Sequence, residues 1–476
     1  MSVIETADHA PPPASLRIKF FYGLGSIAPG ALNALGGLAM FFYNQIIGVP
    51  APIVGLALSA TVLSDAVSDV FIGYASDKTR SRWGRRHPFM AAAFLLLPIA
   101  IYFRWRPPTD WASDAMFWYI YGTGLFLNFA FSIFEIPSNA LGPELTKSYH
   151  DRTSLLSYRW LLGALASAVV TILIYGVFLR ATPQHALGQL NPAGYAPLSL
   201  AVTLMIGGSI LAMFWGTFHL IPTLYRPVVV TKPQLWPALK QAARMLRNHN
   251  FLVAVVAGVI AGLGSGLDAG LRIYFYTFLW GFRSADILVL TLLAIPIPFV
   301  AAMVAPWLAK RFSKRSACMG MFFASVVVGH APMLMKLTGI LTLPPSPALL
   351  GILAAFTFVA GVLGIGGYII VSSMIADIVE DVQATTGERA EGLLITADTF
   401  PNRIANSLSV AFPGLMLAWV QFPASATPGL STLYKMQQLG WVYVPVMATI
   451  SCLSIATWGF YRIDKTTHEA NLRAIG

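Results

Sequence analysis

The chain has few charged residues and few cysteines. Charged residues occupy 11% of its 476 positions, whereas a soluble domain contains about 25%. This shortage excludes an ordinary water-soluble globular protein. The two cysteines, Cys318 and Cys452, lie far apart in apolar stretches. We therefore expect them to behave as small hydrophobic residues and not as a disulfide framework.

Two signals of catalysis or ATP use are also missing. The eight histidines are scattered along the chain and do not show the spacing of metal ligands. The sequence has no glycine-rich phosphate loop followed by Lys and Ser or Thr, which an ATP-driven pump of that type requires. We therefore expect a protein that is not an enzyme and has no cofactor.

Long apolar segments are abundant. Hydrophobic residues make up 56% of the chain, and many runs exceed about 18 residues, enough for a helix to cross a hydrocarbon core of about 30 Å. About twelve such segments predict an all-α membrane protein. They lie near residues 18–47, 51–76, 88–106, 113–142, 155–180, 196–224, 250–281, 285–308, 316–338, 347–376, 391–420 and 438–461.

The formal net charge of +11 reflects membrane topology and not nucleic-acid binding. Most lysines and arginines fall in the N-terminal flank, the C-terminal tail and alternate loops, whereas the opposite loops carry few. Basic loops stay on the cytoplasmic side of a membrane. We therefore predict a multi-pass protein of the inner (cytoplasmic) membrane with both termini in the cytoplasm and no nucleic-acid partner.

A long polar interval between residues 222 and 250 divides the chain into two halves of about six helices each. Two similar halves around a midplane site are the plan of many secondary transporters. We expect a monomer in the lipid bilayer that carries a small-molecule substrate. The predicted parts are a tail at 1–16, a bundle at 17–225, a linker at 226–249, a second bundle at 250–462 and a tail at 463–476.

Two aspartates, Asp65 and Asp69, lie four residues apart inside an apolar segment. This spacing places both carboxylates on one face of a helix, where charges are costly unless they serve a function. Two such carboxylates repel each other unless one is protonated or a cation binds both. We predict a coupling-cation site for Na⁺ or H⁺, with Ser68 and Ser132 as further oxygen ligands. The alternative is a structural salt bridge to an intramembrane arginine.

Further charges lie inside predicted spans. Glu135 and Arg159 fall on adjacent helices, so we predict an ion pair that lines the cavity and binds substrate hydroxyls, or else a purely structural pair. Arg403 is predicted to reach the aspartate pair from the other half when the cation has left. Asp268 and Arg272 are spaced to satisfy each other on one helix, and their role stays open.

A basic loop follows the aspartate helix. Within Asp77-KTRSRWGRR-Arg86, an acidic residue at the helix end precedes a glycine between basic residues, a pattern that can lock helix ends together. We predict that it is a gating element and not a substrate contact. The simpler alternative is a charge cluster that only sets topology. The predicted gating residues are Asp77, Arg82, Gly84, Arg85 and Arg86.

These motifs resemble a known family. The loop Gly73-YASDKTRSRWGRRHP-Pro88 is similar to that of the glycoside–pentoside–hexuronide:cation symporters of the major facilitator superfamily, related to melibiose permease. The resemblance continues in Asp65-AVSD-Asp69, Glu135-IP-Pro137 and Glu391-GLLITADTFPNR-Arg403. It implies the major facilitator fold, with two six-helix pseudo-repeats that work by alternating access.

The resemblance also implies roles for individual residues. Asp65 and Asp69 match the family's cation-site aspartates, with Ser68 and Ser132 at neighbouring oxygen-ligand positions. Arg403 stands where the family has a helix 11 lysine implicated in cation coupling. The resemblance therefore predicts that this residue couples the cation to closure of the halves.

For the substrate, Glu135 stands at a sugar-binding aspartate position and Arg159 matches its arginine partner. Asn139 replaces a tryptophan that faces the sugar, and Ser26 and Ile27 replace a Lys-Asp pair of helix 1. The implied function is cation-coupled symport of a glycoside or other carbohydrate. The alternative is symport of a lysophospholipid or other amphiphile, which a related branch of the superfamily carries out. A membrane sensor is disfavoured because the sequence shows no soluble signalling domain.

Overall fold

The computed structural model describes residues 15–146, 148–224, 246–386, 391–464 and 467–469. Within these ranges, the side chains of residues 66, 67, 70, 149, 150, 223, 385, 386 and 391–404 are not described. The predicted linker and both predicted tails lie largely outside the described residues. The side chain of Arg403 lies outside them as well.

Twelve helical elements follow one another along the chain. In the first half they are α1 (Leu16–Gly36, continued after a 41° bend by Ala39–Ile46), α2 (Ala51–Lys78), α3 (His87–Arg104), α4 (Ser113–Leu145), α5 (Tyr149–Ile172, extended by a π-helical stretch Leu173–Phe178) and α6 (Tyr195–Phe218). Short 3₁₀ turns are Gly188–Leu190, Pro192–Gly194 and Ile221–Thr223.

The second half repeats the pattern. Its elements are α7 (His249–Tyr274, extended by a π-helical stretch Phe275–Leu279), α8 (Ser284–Leu292 and Ile297–Arg311), α9 (Lys314–Leu337), α10 (Pro347–Thr386), α11 (Glu391–Trp419) and α12 (Leu430–Trp458). The described residues form helices and connecting loops without any strand. The predicted all-α class and the two six-helix halves are confirmed.

Composition explains which helices qualify as membrane spans. Within the described residues, nine helices are long and apolar enough to cross a bilayer, and the bent pair in α1 adds a tenth. Large apolar side chains on their outward faces, such as Trp118, Leu204 and Trp215, are more than half exposed. A soluble protein does not leave so many large apolar groups uncovered, so these faces contact lipid.

Several helix boundaries differ from the sequence prediction, and the differences are largest in α12 and α10. The helix α12 begins at Leu430 instead of near 438 because Lys435, Gln437 and Gln438 lower the hydropathy of its first turns. The helix α10 continues past the apolar segment, beyond Asp377, to Thr386. Hydropathy measures the part of a helix that lies in hydrocarbon, so a helix that extends into water is longer than its apolar segment.

The two halves are joined by hydrogen bonds at one end of the molecule. Gln45 Nε2 donates to the Pro423 carbonyl at 3.1 Å, and the Ala426 backbone N–H donates to Gln45 Oε1 at 3.0 Å. The Tyr274 hydroxyl donates to Asn44 Oδ1 at 3.0 Å. Buried polar groups are satisfied here only when the halves are together.

The contact between the two halves continues along the helices α2 and α11. The hydroxyls of Ser59 and Ser407 lie 2.9 Å apart. Gly55 and Gly414 allow close packing, because a Cβ at Gly414 would lie 2.4 Å from the Ala51 carbonyl oxygen. We call this end, formed by residues 40–59, 179–189, 274–284 and 407–426, the sealed end. Where both partners are described, every hydrogen bond between the halves lies there.

Candidate functional site

The aspartate pair lies on α2 with hydroxyls beside it. Asp65 and Asp69 are both half-buried. The Ser132 hydroxyl of α4 donates to Asp69 Oδ1 at 2.6 Å, and the Ser68 hydroxyl donates to the Asp65 carbonyl at 3.0 Å. The structure therefore brings Asp69 and Ser132 together across two helices. Carboxylate and hydroxyl oxygens are hard ligands of the kind that alkali and alkaline-earth cations prefer.

A second cluster surrounds Arg159 of α5. Its guanidinium donates to Ser138 Oγ at 2.8 Å and to Glu135 Oε1 at 3.4 Å. It also lies 5.0 Å from the centre of the Tyr22 ring, which adds a cation–π contact. The Arg159 side chain is only 7% exposed. Three elements, α1, α4 and α5, therefore hold one buried cation in a fixed position.

The acidic partner of this arginine has an accessible edge. Glu135 is 24% exposed, and Oε1 also accepts a hydrogen bond from Asn139 Nδ2 at 2.8 Å. Its other oxygen, Oε2, is buried and has no hydrogen-bond partner among the described residues. A buried acceptor without a donor is unusual in a folded protein. The Glu135 carboxylate therefore keeps one acceptor oxygen that the described residues do not use.

The two clusters share one face of α4. Ser132 and Glu135 are three residues apart, and Asn139 follows four residues later. Residues at these spacings are neighbours on a helix surface. We call Ser132, Glu135 and Asn139 the α4 stripe. The hydroxyl that binds Asp69 and the carboxylate that binds Arg159 therefore move together if α4 moves.

The predicted gating loop forms an ion-pair network at the end opposite the sealed end. Arg86 contacts Asp77 at 2.7 Å and Glu144 at 3.0 Å, and Arg85 contacts the same Glu144 oxygen at 2.8 Å. Arg86 also donates to Ser76 Oγ at 2.6 Å. We did not predict Glu144 from the sequence. The available signal was its position at the end of an apolar segment, on the side of the membrane where the topology places the basic loop.

Two other predicted gating residues have different surroundings. Gly84 has φ +74°, a conformation that L side chains rarely adopt, and a Cβ there would lie 3.3 Å from Ile221. Arg82 is exposed, and its guanidinium lies 5.9 Å from the centre of its neighbour Trp83. Among the described contacts, Asp77, Arg85 and Arg86 belong to the ion-pair network, whereas Arg82 lies outside it.

A corresponding network lies in the second half. Lys314 Nζ contacts Asp377 Oδ2 at 2.7 Å, and the Tyr461 hydroxyl donates to the same oxygen at 3.3 Å. Burial and the nearby Asp377 carboxylate raise the pKa of the Tyr461 hydroxyl, so it remains a donor. His468 lies 2.9 Å from Glu380. Each half thus has its own ion pairs at the end opposite the sealed end.

The charges of α7 pair as their spacing predicts. Arg272 contacts Asp268 on the same helix, and the Tyr443 hydroxyl of α12 donates to Asp268 Oδ1 at 2.8 Å. Arg272 is 55% exposed and Asp268 34% exposed. The predicted contact of Arg403 with the aspartates stays a prediction because its side chain lies outside the described residues. Both cysteines are free, with Cys318 buried and Cys452 exposed.

The twelve helices in two halves, sealed at one end and lined with paired charges, define a multi-pass membrane transporter. The chain belongs to the family described as MFS/sugar transport protein, which matches residues 21–465. Members of this family are transporters and not enzymes.

Several relatives agree with this assignment. An uncharacterized symporter of Synechocystis sp. is 34% identical over 185 residues, which cover 36% of this chain and a third of that relative (33%). The isoprimeverose transporter of Lactiplantibacillus pentosus is 24% identical over 410 residues, which cover 84% of this chain and 79% of the relative. The inner membrane symporter YicJ of Escherichia coli is 31% identical over 161 residues, which cover 34% of this chain and 35% of the relative.

Solved structures show the same fold. The nucleoside transporter NupG superposes with a TM-score of 0.59 at 12% identity, covering 93% of this chain and 98% of that one. A bacterial homologue of the lysosomal transporter Spinster gives a TM-score of 0.55 at 13% identity, covering 97% and 96%. These likenesses support the major facilitator fold and carry no information about the substrate.

Proposed function

We propose that this protein is a cation-coupled symporter of a glycoside or other carbohydrate that works by alternating access. The α4 stripe is the observation that carries the proposal. Ser132 binds Asp69 of the aspartate pair, and Glu135 binds Arg159 from the same helix face. The names of the relatives, which include an isoprimeverose transporter and a putative glycoside/cation symporter of Escherichia coli, support the sugar part.

The coupling cation, Na⁺ or H⁺, binds at Asp65 and Asp69. Two carboxylates one helical turn apart repel each other when both are ionised, so a cation between them or a proton on one of them lowers the energy. The Ser132 and Ser68 oxygens complete the ligand set. Because Ser132 binds Asp69, occupancy of the cation site restrains α4.

The sugar binds at Glu135, Arg159 and Asn139. A sugar hydroxyl both donates and accepts hydrogen bonds, so it fits between a carboxylate, a guanidinium and a carboxamide. The unpartnered Glu135 Oε2 accepts a hydrogen bond from one hydroxyl. When the cation orders α4, this oxygen takes up its binding position, which raises substrate affinity.

The cycle proceeds by rocking of the two halves about the bound ligands. With both termini in the cytoplasm, the sealed end lies on the extracytoplasmic side, so the structure is an inward-facing state. Arg403 replaces the departed cation at the aspartates and so links cation release to closure. Asp77, Arg85 and Arg86, together with Glu144, hold the cytoplasmic ends of the first half as a unit.

A second candidate function is symport of a lysophospholipid or other amphiphile with the same coupling site. The specific observation in its favour is a large apolar cavity in the second half, lined by Phe251, Phe322 and Trp458 among others. A carbohydrate without apolar groups does not need such a cavity.

Ligand-dependent thermal stability of the purified protein distinguishes the two functions. A ligand that binds only the folded state raises the apparent melting temperature by mass action. We expect glycosides to stabilise the protein, more strongly when sodium or acidic pH supplies the cation. Stabilisation by lysophospholipids and by none of a panel of glycosides would overturn the sugar assignment in favour of the second candidate.

A further inference from the structure

A large cavity lies inside the second half, between α7, α9, α10 and α12. Its volume is about 670 Å³, within the range of small-molecule sites. The walls are mainly apolar and aromatic, and the largest side chains that form them are Phe251, Phe322, Tyr368, Ile375 and Trp458. We call this space the C-half cavity. The residues described above for the cation and the sugar do not line it.

The cavity occupies a gap between α7 and α10. A separate face of α7, with Gly266 and Gly270, packs against Ser409 and Pro413 of α11. On the α10 side, Tyr368 is 52% exposed. The gap is therefore open at the surface on this side.

Polar side chains lie just beyond one end of the cavity. On α7, Asp268 lies one helical turn beyond the lining residue Gly264, and on α12 Tyr443 lies one turn beyond Met447. On α9, His330 follows Val326 in the same way. All three residues lie on the side of the cavity that is nearer the sealed end. The hydrogen bond from Tyr443 to Asp268 at 2.8 Å joins two of them.

The cavity spans the depth of the proposed sugar site. Glu135 lies nine residues from Glu144 on α4, a rise of about 14 Å from the end opposite the sealed end. The α7 residues that line the cavity run from Phe251 to Ser265, 2 to 16 residues after His249. This corresponds to depths of about 3 to 24 Å from the same end. A ligand held at Glu135 therefore lies level with the cavity.

We propose that the C-half cavity binds a bulky apolar aglycone of the transported glycoside while Glu135 and Arg159 hold its sugar. This inference rests on the proposed function and narrows its substrate class to glycosides of aromatic or branched alcohols. An acyl chain ends in a methyl group, which fits poorly beside the polar side chains of Asp268 and Tyr443 just beyond one end of the cavity. An aromatic aglycone with a polar tip matches both the walls and that end.

The test compares methyl and para-nitrophenyl glycosides of glucose, galactose and xylose with the purified full-length protein in lipid nanodiscs. For a sugar that binds, we expect the nitrophenyl glycoside to bind at least about tenfold more tightly, because it removes more apolar surface from water. Ala261→Phe, which fills the cavity, should abolish that gain and leave the methyl glycoside affinity unchanged.

Two further variants complete the design. Val256→Phe places the same side chain on the outer face of α7, where Val256 is 39% exposed, and should keep the full gain. Ser451→Phe fills the cavity from α12 and replaces Ala261→Phe if that variant does not fold. Equal affinity for both glycosides, or a gain that survives cavity filling, would overturn the cavity proposal while the sugar site stands. Absence of binding by every glycoside would instead overturn the proposed function.

Discussion

The two halves of the molecule share a helix plan but differ in how they place charge. In the first half, charged residues of α2 and α5 contact polar or charged residues of α4: Asp69 accepts a hydrogen bond from Ser132, and Arg159 pairs with Glu135. In the second half, Asp268 forms its ion pair with Arg272 of its own helix and accepts one hydrogen bond from Tyr443 of α12, and an apolar cavity lies next to them. A contact across helices changes when helices move, whereas a pair within one helix does not.

We propose that this difference reflects separate tasks of the two halves. Interhelical polar contacts in the first half suit a site whose occupancy must be sensed by helix movement. In this proposal, the apolar C-half cavity of the second half selects a ligand by its shape and not by contact with a charged group. The predictions below separate these two tasks, beginning with the largest expected effect.

The largest effect is expected from the aspartate pair. Asp65→Asn and Asp69→Asn should each abolish cation-driven uptake into proteoliposomes, since a neutral amide cannot balance a bound cation. Asp268→Asn, in the second half, should retain a stability response to the cation. Uptake that remains cation-driven in both α2 variants would contradict the assignment of coupling to the first half.

The next effect concerns the sugar cluster. Glu135→Gln and Arg159→Ala should weaken glycoside binding by about 10- to 150-fold, because hydrogen bonds to charged groups contribute about 1.5–3 kcal/mol. Cation binding, measured by calorimetry or thermal shift, should change little. If Glu135→Gln lost as much cation affinity as Asp69→Asn, Glu135 would belong to the cation site instead.

A third prediction tests the sealed end, where the halves meet. Gly414→Val should slow transport at least about tenfold, because a side chain at this position collides with the Ala51 backbone and prevents closure. Gly351→Val on α10 is the matched control, since a Cβ there has nothing within 4 Å. Cysteines introduced at Ser59 and Ser407 should cross-link in the wild-type background and in the Gly351 variant. Loss of this cross-link in the Gly414 variant alone would confirm the cause. Equal transport by the two valine variants would refute it.

The smallest effect is expected in the ion-pair network of the first half. Glu144→Gln removes the acid shared by Arg85 and Arg86, and Arg86 keeps Asp77. Thermal unfolding should reveal a loss of about 1–3 kcal/mol. Lys314→Ala in the second half should cost less, because the Lys314 side chain is 39% exposed and Asp377 keeps the hydrogen bond from Tyr461. A larger loss from Lys314→Ala would reverse this ranking.

Much of the fold was predictable because hydrophobicity fixes which segments enter the membrane. The segment predicted at 113–142 corresponds to α4, Ser113–Leu145, and the one at 347–376 to α10. Differences arise where a helix leaves hydrocarbon, as at Leu430 and Thr386. Local spacing also predicted the Asp268–Arg272 pair, since both residues lie on one helix.

Contacts between distant segments were predicted only in part. The pairing of Glu135 with Arg159 followed from adjacent helices. The contact of Glu144 with the basic loop spans 58 residues, and its position at the end of an apolar segment gave only the side of the membrane and not the partner. The C-half cavity was not predictable at all. A cavity forms where the surfaces of four helices leave space unfilled, and the sequence of one segment does not show how the other three pack.

The most direct measurement determines how much the cation strengthens glycoside binding in the wild type and in Ser132→Ala. Coupling between the cation site and the glycoside site is a free energy, and it is reciprocal: each ligand raises the affinity for the other by the same factor. In the wild type, sodium or acidic pH should raise glycoside affinity about tenfold, or 1.4 kcal/mol. Ser132→Ala should lose most of this factor and keep the affinity measured without cation. Ser132→Thr, which keeps the hydroxyl, should retain the factor. An undiminished factor in Ser132→Ala would contradict coupling through the α4 stripe.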